Sequence, residues 1–263
     1  MNPEDLRGFA LQLAEEAMVN IAGAHASPDQ SATKVDAGDW VTPFDKAVET
    51  QTRERIHTQF PQHRVVGEEF GADADTGGDA EITWYLDPID GTMNFVHGVP
   101  WVAFSLAAVD REGVVAGVVA DVYRREIYSA SRGGGAYVGT ARAHCAAHQR
   151  IGGGVFLTEW SRQAAWSGMN EYLHAISAEA GATRIMGSCA LALALVGVGR
   201  ATGAVLPGFY NPWDVYAGGL IAREGGAVVA GRNGPADDVP LDGVMAATPG
   251  TAEKLLQLWS ADR

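Results

Sequence analysis

Apolar residues recur at helical spacing at the start of the chain and in short blocks further along it. Six of them fall on one face of a helix over residues 3–23: Leu6, Phe9, Ala10, Leu13, Ala17 and Ile21. A second helix is predicted to begin at Thr42, because Thr is a favoured N-cap and is followed by Pro43 and by Asp45 at the third helical position. We expect this helix to continue to about Gln59.

Short apolar runs bounded by Gly, Pro or acidic residues predict the strands of the first half of the chain. These strands are expected at residues 64–67, 82–86, 101–109, 114–122 and 126–130. The Asp-Arg-Glu-Gly segment at 110–113 suits a hairpin turn between two of them. Because the runs follow one another without helical patterns between them, we expect an antiparallel or mixed sheet.

In the second half, strand patterns alternate with helical patterns. Strands are predicted at residues 155–158, 183–186, 203–206, 226–230 and 244–247. Helices are predicted at residues 165–180, 188–199, 212–224 and 250–259. Asn211 begins the third of these helices with the same N-cap, proline and acid pattern as Thr42. With no internal repeat or linker, we expect one unit over residues 1–263, with two packed halves at about 1–150 and 151–263 and a layered α+β or α/β architecture.

Composition narrows the class of protein and its surroundings. The 263 residues carry a formal charge of −13, which disfavours nonspecific nucleic-acid binding. Hydrophobic residues make up 47% of the chain, but no apolar run approaches the roughly 18 residues that suggest a membrane span. There are two cysteines without a CxxC pair, and the acidic start lacks a signal pattern. We therefore expect a cytoplasmic protein without disulfides or a zinc site.

One short segment carries the strongest chemical signal. The apolar run at 82–86 is followed by two carboxylates, Asp87 and Asp90, and then by Gly91 and Thr92. We expect a buried strand that brings both carboxylates to one point at its carboxyl end. Two acids so close together repel each other unless a cation lies between them, and the backbone amides of a Gly-Thr turn suit a phosphate. The combination favours metal-assisted phosphate chemistry.

Further acidic residues lie where predicted elements begin or end: Asp45, Glu68, Glu69 and Asp214. The helix dipole is enough to explain Asp45 or Asp214 alone, and a solvated loop corner is enough to explain the two glutamates. As a set with the two acids of the strand end, they favour a site, because strand ends and helix starts are where sheet proteins place functional side chains.

Three separated motifs occur in the order and spacing of a known family. They are Gly-Glu-Glu at 67–69, Asp-Pro-Ile-Asp-Gly-Thr-Met-Asn-Phe at 87–95, and Trp-Asp-Val-Tyr-Ala-Gly-Gly at 213–219 with Glu-Gly-Gly at 224–226. Over about residues 34–230 the chain resembles the inositol monophosphatase family of magnesium-dependent, lithium-sensitive sugar phosphatases. The resemblance implies a layered αβαβα sandwich, a homodimer, and hydrolysis of a small phosphorylated metabolite of the polyol or sugar type.

The resemblance also implies a set of magnesium ligands. Glu68, Asp87 and the carbonyl of Ile89 would hold one Mg²⁺, and Asp87, Asp90 and Asp214 would hold a second. A third and weaker ion would lie near Glu68, so the site would take two or three ions.

A further set of residues is implied to bind the substrate: Asp90, Gly91, Thr92, Gly187, Ser188 and Asp214. Gly91 and Thr92 would bind the phosphate oxygens. Gly187 and Ser188 match a Gly-Ser turn that lies beside the substrate in the family.

The catalytic residues implied by the resemblance are Glu68, Asp45 and Thr92. Asp45 and Thr92 would orient the attacking water, which would be bound to metal beside Glu68. Lys34 and Asp39 match positions in a mobile loop before that helix. Direct attack by water is favoured over a covalent phosphoenzyme, because neither cysteine lies near the motifs and no Ser-His-Asp arrangement is apparent.

The segment before the Trp-Asp motif departs from the family. Inositol monophosphatases usually carry an acid there that contacts substrate hydroxyls, whereas residues 206–212 contain none. Apolar or aromatic groups such as Phe209 and Tyr210 could therefore favour another alcohol. Residues 159–162 could touch the substrate from a loop.

Other activities of the same superfamily stay open: histidinol-phosphate phosphatase, fructose-1,6-bisphosphatase and nucleotide 3′-phosphatase. The last two need a basic pocket for a second phosphate, for which Arg162, Arg184 and Arg200 are candidates. A homologue that binds or regulates without catalysis is an alternative of a different class, although the intact acids argue against it.

Overall fold

In the computed structural model, the described residues are 1–24, 27, 29, 31–34, 40–73, 80–160 and 164–260. They form these helices: α1 (Pro3–Ala22), α2 (Pro43–Gln59), α3 (Thr92–His97), α4 (Met169–Ala178), α5 (Cys189–Gly197), α6 (Pro212–Glu224) and α7 (Pro249–Ser260). Within this part of the chain, no helix is long and apolar enough to cross a membrane. Asp39, Ser161 and Arg162, which the sequence predicts to lie at or near the site, fall outside the described residues.

The strands of the first half begin in a polar region and then follow one another closely. They are β1 (Ala32–Thr33), β2 (Trp40–Val41), β3 (Arg64–Gly67), β4 (Gly71–Ala72), β5 (Thr83–Asp90), β6 (Ala103–Asp110), β7 (Gly113–Asp121), β8 (Glu126–Ser131), β9 (Gly135–Val138) and β10 (Ala141–Ala143). Those of the second half alternate with helices. They are β11 (Val155–Thr158), β12 (Ala182–Ile185), β13 (Gly203–Leu206), β14 (Val228–Gly231), β15 (Gly234–Pro235) and β16 (Val244–Ala247).

Two large sheets organise these strands. The eight-stranded sheet has the order β10-β9-β8-β7-β6-β5-β3-β4, and only the β3–β5 pair within it is parallel. The six-stranded sheet has the order β12-β11-β13-β16-β14-β15, with parallel pairing of β11 to β12 and β13. The first sheet is therefore mixed but mostly antiparallel, as the run of consecutive strand patterns predicts.

Three apolar clusters separate five layers of structure. The first cluster joins α1 and α2 to one face of the larger sheet and includes Leu13, Ile56 and Trp84. The second fills the space between the two sheets, where α5 and α6 lie, and the third joins the smaller sheet to α4 and α7. Neighbouring strand residues face opposite clusters, so Leu206 packs between the sheets while Val205 packs on the far side. The predicted αβαβα sandwich is thus confirmed.

One difference from the predicted elements matters for the site. The sequence predicts that the strand at residue 82 ends at residue 86, but β5 continues to Asp90. Pro88 does not end the strand because the pairing of β5 with β6 shifts register between Asp87 and Asp90, and a bulge tolerates a residue without an N–H group. Asp87 and Asp90 therefore lie within the last four residues of β5 rather than after the strand.

Short elements were harder to predict. Helix α3 has six residues and strand β10 has three, which is too short for a reliable hydrophobic period. Helix α3 is nevertheless the element that follows β5 directly, so it helps to form the edge of the site described next.

Candidate active site

Asp87 and Asp90 lie at the irregular end of β5, and both side chains are buried. Asp87 Oδ1 accepts a hydrogen bond from the backbone N–H of Ile89, with 3.0 Å between nitrogen and oxygen. The end of the strand thus holds both predicted carboxylates within four residues of chain and away from bulk water.

Asp90 is held by the start of helix α5, in the other half of the chain. The Ser188 hydroxyl donates a hydrogen bond of 2.6 Å to Asp90 Oδ2, and the backbone N–H of Ala190 donates one of 2.8 Å to the same oxygen. Ser188 is also the N-cap of α5, because its side chain accepts from the N–H of Leu191. The predicted Gly-Ser turn and the predicted acid are therefore brought together.

Asp45 connects the start of helix α2 to Thr92. It completes a capping box with Thr42, whose backbone N–H donates to Asp45 Oδ2 over 2.8 Å. Its other oxygen lies 3.2 Å from the Thr92 hydroxyl oxygen, which is also 2.9 Å from the carbonyl oxygen of Ile89. The helix α2, the end of β5 and the start of α3 meet at this hydroxyl.

Asp214 is the third residue of helix α6, the same position that Asp45 holds in helix α2. The backbone N–H of Asn211 donates to Asp214 Oδ2 over 2.8 Å. Burial raises the pKa of Asp214 to about 8, and the negative charges of Asp90 and Glu68 act in the same direction. Asp214 therefore belongs electrostatically to the acids of the larger sheet, although its helix is in the second half.

Glu68 follows β3 and is paired with Lys34. The Lys34 ammonium nitrogen lies 2.8 Å from Glu68 Oε1 and 2.5 Å from Glu69 Oε1. Burial alone would lower the pKa of Lys34, but these two carboxylates outweigh burial and raise it. Burial raises the pKa of Glu69 to about 7. The chain thus places one of its own cations beside the acid cluster.

Most of the predicted site residues line a single cavity of about 310 Å³. Those that line it are Glu68, Asp87, Ile89, Asp90, Gly91, Thr92, Gly187 and Asp214. Asp45 and Ser188 are connected to it through the hydrogen bonds to Thr92 and Asp90. The other described lining residues are Trp40, Met93, Asn94 and Trp160.

Burial and nearby negative charge raise the pKa values of the aspartates around the cavity. Burial raises the pKa of Asp87 well above its ordinary value, and the charges of Glu68, Asp90 and Asp214 add to this effect. Burial likewise raises the pKa of Asp90 to about 6 and that of Asp45 to about 6. The cavity therefore concentrates negative charge that a bound cation would neutralise.

The donor atoms suit magnesium. In the part of the chain that the structure describes, no three His, Cys, Asp or Glu side chains are already arranged to hold a metal ion. The available donors are carboxylate oxygens and the carbonyl of Ile89, the kind of donor that Mg²⁺ prefers. Because Glu68 is paired with Lys34, a metal there would have to replace that ammonium group.

Two glycines and an asparagine shape the cavity wall. Gly91 has a φ of +95°, and a Cβ there would lie 3.0 Å from the carbonyl oxygens of Gly187 and Trp101. A side chain is therefore disfavoured both by conformation and by space. The Asn94 amide donates to the carbonyl oxygens of Trp101 and Met186, over 2.9 and 2.7 Å, so it ties α3 to the segment before α5.

Glu159, one of the residues that could touch the substrate from a loop, lies behind the cavity wall instead. It follows β11 directly, is buried, and accepts hydrogen bonds from the backbone N–H groups of Met186 and Gly187 over 3.3 and 2.8 Å. It therefore supports the cavity wall from behind. The sequence signal was an acid directly after an apolar strand, the same signal that identified Asp87.

Several other candidates are not among the described residues that line the cavity. Phe209 and Tyr210 are not among its described lining residues; Phe209 is 80% exposed, and Tyr210 packs on the cluster between the sheets. Arg200 is paired with Glu126, and Arg184 is exposed on β12. No Lys, Arg or His is among the described residues that line the cavity, so these residues provide no basic pocket for a second phosphate.

The fold and the site define an αβαβα protein whose acid-lined cavity draws residues from both halves of the chain. The inositol monophosphatase family model matches residues 2–261, so the chain belongs to that family. It is 34% identical over 259 residues to the Nus factor SuhB of Pasteurella multocida, covering 97% of this chain and 95% of that protein. The SuhB of Vibrio cholerae, also called a Nus factor, is 33% identical, with 95% and 93% of the two chains covered.

Solved structures agree with this assignment. The IMPase of Thermotoga maritima has a TM-score of 0.86 at 25% identity, covering 98% of this chain and 97% of that one. The SuhB of Mycobacterium tuberculosis has a TM-score of 0.79 at 31% identity, covering 100% and 98%. The similarity extends over the whole fold and is not confined to the motifs.

Proposed function

We propose that the protein is a Mg²⁺-dependent phosphomonoesterase that hydrolyses a small phosphate ester, of the polyol or sugar type, by direct attack of water. The observation that carries this proposal is the shared cavity of Glu68, Asp87, Asp90 and Asp214. The raised pKa values of Asp87, Asp90 and Asp214 reflect burial together with a concentration of negative charge, which has little use in a merely structural site. Membership of the inositol monophosphatase family supports the same class of reaction.

The four carboxylates and the carbonyl of Ile89 would hold two or three Mg²⁺ ions. When bound, Mg²⁺ neutralises phosphate charge, lowers the pKa of water and orients the ester for in-line attack. The products are inorganic phosphate and the free alcohol, and no residue of the chain is covalently modified.

Thr92 and Asp45 are proposed to orient the attacking water. The Thr92 hydroxyl proton has acceptors in Asp45 and in the Ile89 carbonyl, so the lone pairs of the hydroxyl oxygen remain to accept a hydrogen bond from water. Asp45 fixes the direction of that hydroxyl and is itself fixed by Thr42. Attack therefore depends on a short chain of positioned groups rather than on a nucleophilic side chain.

Gly91 and Thr92 are proposed to bind the phosphate oxygens, since both line the cavity beside Asp90. The alcohol would then meet the remaining lining, which includes the large apolar side chains of Trp40, Met93 and Trp160. Because these side chains are apolar, the panel of test substrates should include an aromatic alcohol. A monophosphate is favoured over a bisphosphate because the described lining carries no basic side chain.

A binding or regulatory protein is the second candidate, favoured by the name Nus factor that the SuhB relatives carry. The homodimer expected from the family resemblance is a separate prediction, which sedimentation velocity at micromolar concentration tests directly.

Phosphate release with Mg²⁺ and with EDTA tests the proposed function. The panel holds inositol-1-phosphate, histidinol phosphate, glycerol-2-phosphate, fructose-1,6-bisphosphate and phosphoadenosine phosphate. Release from a monophosphate that stops in EDTA supports the proposal and ranks the alcohols. If no compound of the panel is hydrolysed by a folded, Mg²⁺-binding protein, the binding or regulatory candidate is favoured instead.

A further inference from the structure

Glu159 binds the backbone of the segment that precedes helix α5. One oxygen accepts from the N–H of Met186 over 3.3 Å and the other accepts from the N–H of Gly187 over 2.8 Å. Two hydrogen bonds from consecutive backbone amides to one carboxylate fix the direction of both peptide groups. Glu159 therefore acts on the local conformation of this segment and not only on its packing.

The same segment is held from the opposite half of the chain. The Asn94 amide donates to the carbonyl oxygen of Met186 over 2.7 Å. Gly187 has a φ of +81°, and a Cβ there would lie 3.2 Å from the Asn94 amide nitrogen. The turn at 186–188 is thus held by hydrogen bonds to Glu159 on one side and to Asn94 on the other.

This turn delivers the groups that hold Asp90. Ser188 follows Gly187 directly, and its hydroxyl and the N–H of Ala190 both donate to Asp90 Oδ2. A change in the backbone conformation of residues 186–188 would therefore move two hydrogen-bond donors away from Asp90 Oδ2. The path from Glu159 to the cavity is short and continuous.

Burying Glu159 is costly. Its side chain is 5% exposed, and its burial raises its pKa to about 7, an effect to which the charge of Asp90 adds. An additional buried carboxylate near the acid cluster disfavours folding unless its hydrogen bonds offset the loss of hydration. The burial of Glu159 is therefore better explained by its fixing of the backbone at Met186 and Gly187 than by a contribution to stability.

We propose that Glu159 is a positioning residue for the metal site, which sets the orientation of Asp90 through the turn at 186–188. The inference rests on the proposed magnesium site. In this role Glu159 touches neither ions nor substrate. Loss of the Glu159 carboxylate is expected to weaken metal binding. Mutation of the groups that orient a metal ligand commonly lowers metal affinity or activity about 10- to 100-fold.

The test compares Glu159→Gln with Glu224→Gln. Gln keeps the size of Glu159, but its NH₂ group cannot accept from a backbone N–H. Glu224 is a matched control, because its carboxylate also accepts from two backbone N–H groups, those of Gly133 and Gly135, over 2.8 and 2.9 Å. Neither Glu224 nor its partners line the cavity. Both variants therefore lose a hydrogen bond from a backbone N–H group to a carboxylate. Only in Glu159→Gln is that bond part of the turn that holds Asp90.

Magnesium affinity, measured by calorimetric titration of the full chain, is the main readout. We expect Glu159→Gln to weaken it about 10-fold, with kcat falling by a similar factor, and Glu224→Gln to change it less than twofold. The double variant Glu159→Gln with Ser188→Ala should lose less than the product of the single losses, because both act on Asp90. The melting temperatures of the two Gln variants separate positioning from general destabilisation.

Each outcome is decisive. Equal magnesium affinity in the two Gln variants overturns the positioning role while leaving the proposed function intact. Independent effects of Glu159→Gln and Ser188→Ala contradict the path through the turn. Absence of Mg²⁺ binding by the folded wild-type chain would remove the proposed metal site itself, and the inference with it.

Discussion

The Lys34 ammonium group lies 2.8 Å from Glu68 Oε1, so a carboxylate proposed to hold Mg²⁺ is paired with a cation of the chain itself. The pair is mostly shielded, since the side chains of Lys34 and Glu68 are 22% and 24% exposed. In such surroundings a positive charge next to a metal site competes with the metal more strongly than it would in water. Metal binding and this ion pair are therefore expected to exclude each other.

Replacing Lys34 tests this competition. We expect Lys34→Met to lower the Mg²⁺ concentration for half-maximal binding about 3- to 10-fold, because a charge that repels the metal is removed. Lys254→Met is the control, since Lys254 forms only an exposed ion pair with Glu179. Calorimetric titration of both variants gives the comparison. Unchanged or weaker magnesium binding by Lys34→Met would show that the ammonium group does not compete.

Thr92 is predicted to matter for turnover more than for binding. Thr92→Val keeps the shape of the side chain but removes the hydroxyl that lies between Asp45 and Ile89. We expect kcat to fall about 100-fold, in the range usual for loss of a group that positions or activates a reactant, while KM changes little. Thr92→Ser, which keeps the hydroxyl, should retain most of the activity. Equal kcat values for the wild type and Thr92→Val would exclude a role in orienting water.

The raised pKa values predict how stability depends on pH without metal. Asp214 and Glu159 have pKa values of about 8 and about 7 in the folded chain, against roughly 4 for such groups when unfolded. Between these values the folded state binds more protons than the unfolded state, so the free energy of unfolding falls as pH rises. We expect the melting temperature in EDTA to be several degrees lower at pH 8.5 than at pH 6.

Mg²⁺ should reverse most of this loss, because it neutralises the ionised carboxylates that destabilise the fold at high pH. The stabilisation by Mg²⁺ is therefore expected to be larger at pH 8.5 than at pH 6. Asp214→Asn should flatten the pH dependence in EDTA, since one of the titrating groups is gone. A melting temperature in EDTA that rises between pH 6 and pH 8.5 would contradict the assigned directions of the pKa shifts.

The start of helix α2 and the start of helix α6 show what the sequence could predict. Thr42 with Asp45, and Asn211 with Asp214, each form the predicted local pattern of N-cap and acid. Capping is decided within four residues, so the pattern alone is enough to locate the helix start. Asp214 lines the cavity and Asp45 is connected to it through Thr92, and both positions depend on how distant elements pack.

Contacts between distant parts of the chain could not be predicted in the same way. Asp90 and Ser188 are 98 residues apart, and their hydrogen bond depends on how the two halves pack. The register shift that carries β5 past Pro88 depends on its pairing with β6. The sequence indicates only that Glu159 could touch the substrate from a loop, because its hydrogen bonds to Met186 and Gly187 join segments that are 27 and 28 residues apart.

Asp87 and its neighbouring acids are proposed to form a magnesium site that hydrolyses a phosphate ester. The most direct measurement is phosphate release from the best monophosphate by the wild type and by Asp87→Asn, with Mg²⁺ and with EDTA, using the exposed Asp5→Asn as the control. We predict turnover only with Mg²⁺ for the wild type and Asp5→Asn, and at least a 100-fold loss for a folded Asp87→Asn. Wild-type turnover by Asp87→Asn, or turnover that persists in EDTA, would contradict the account.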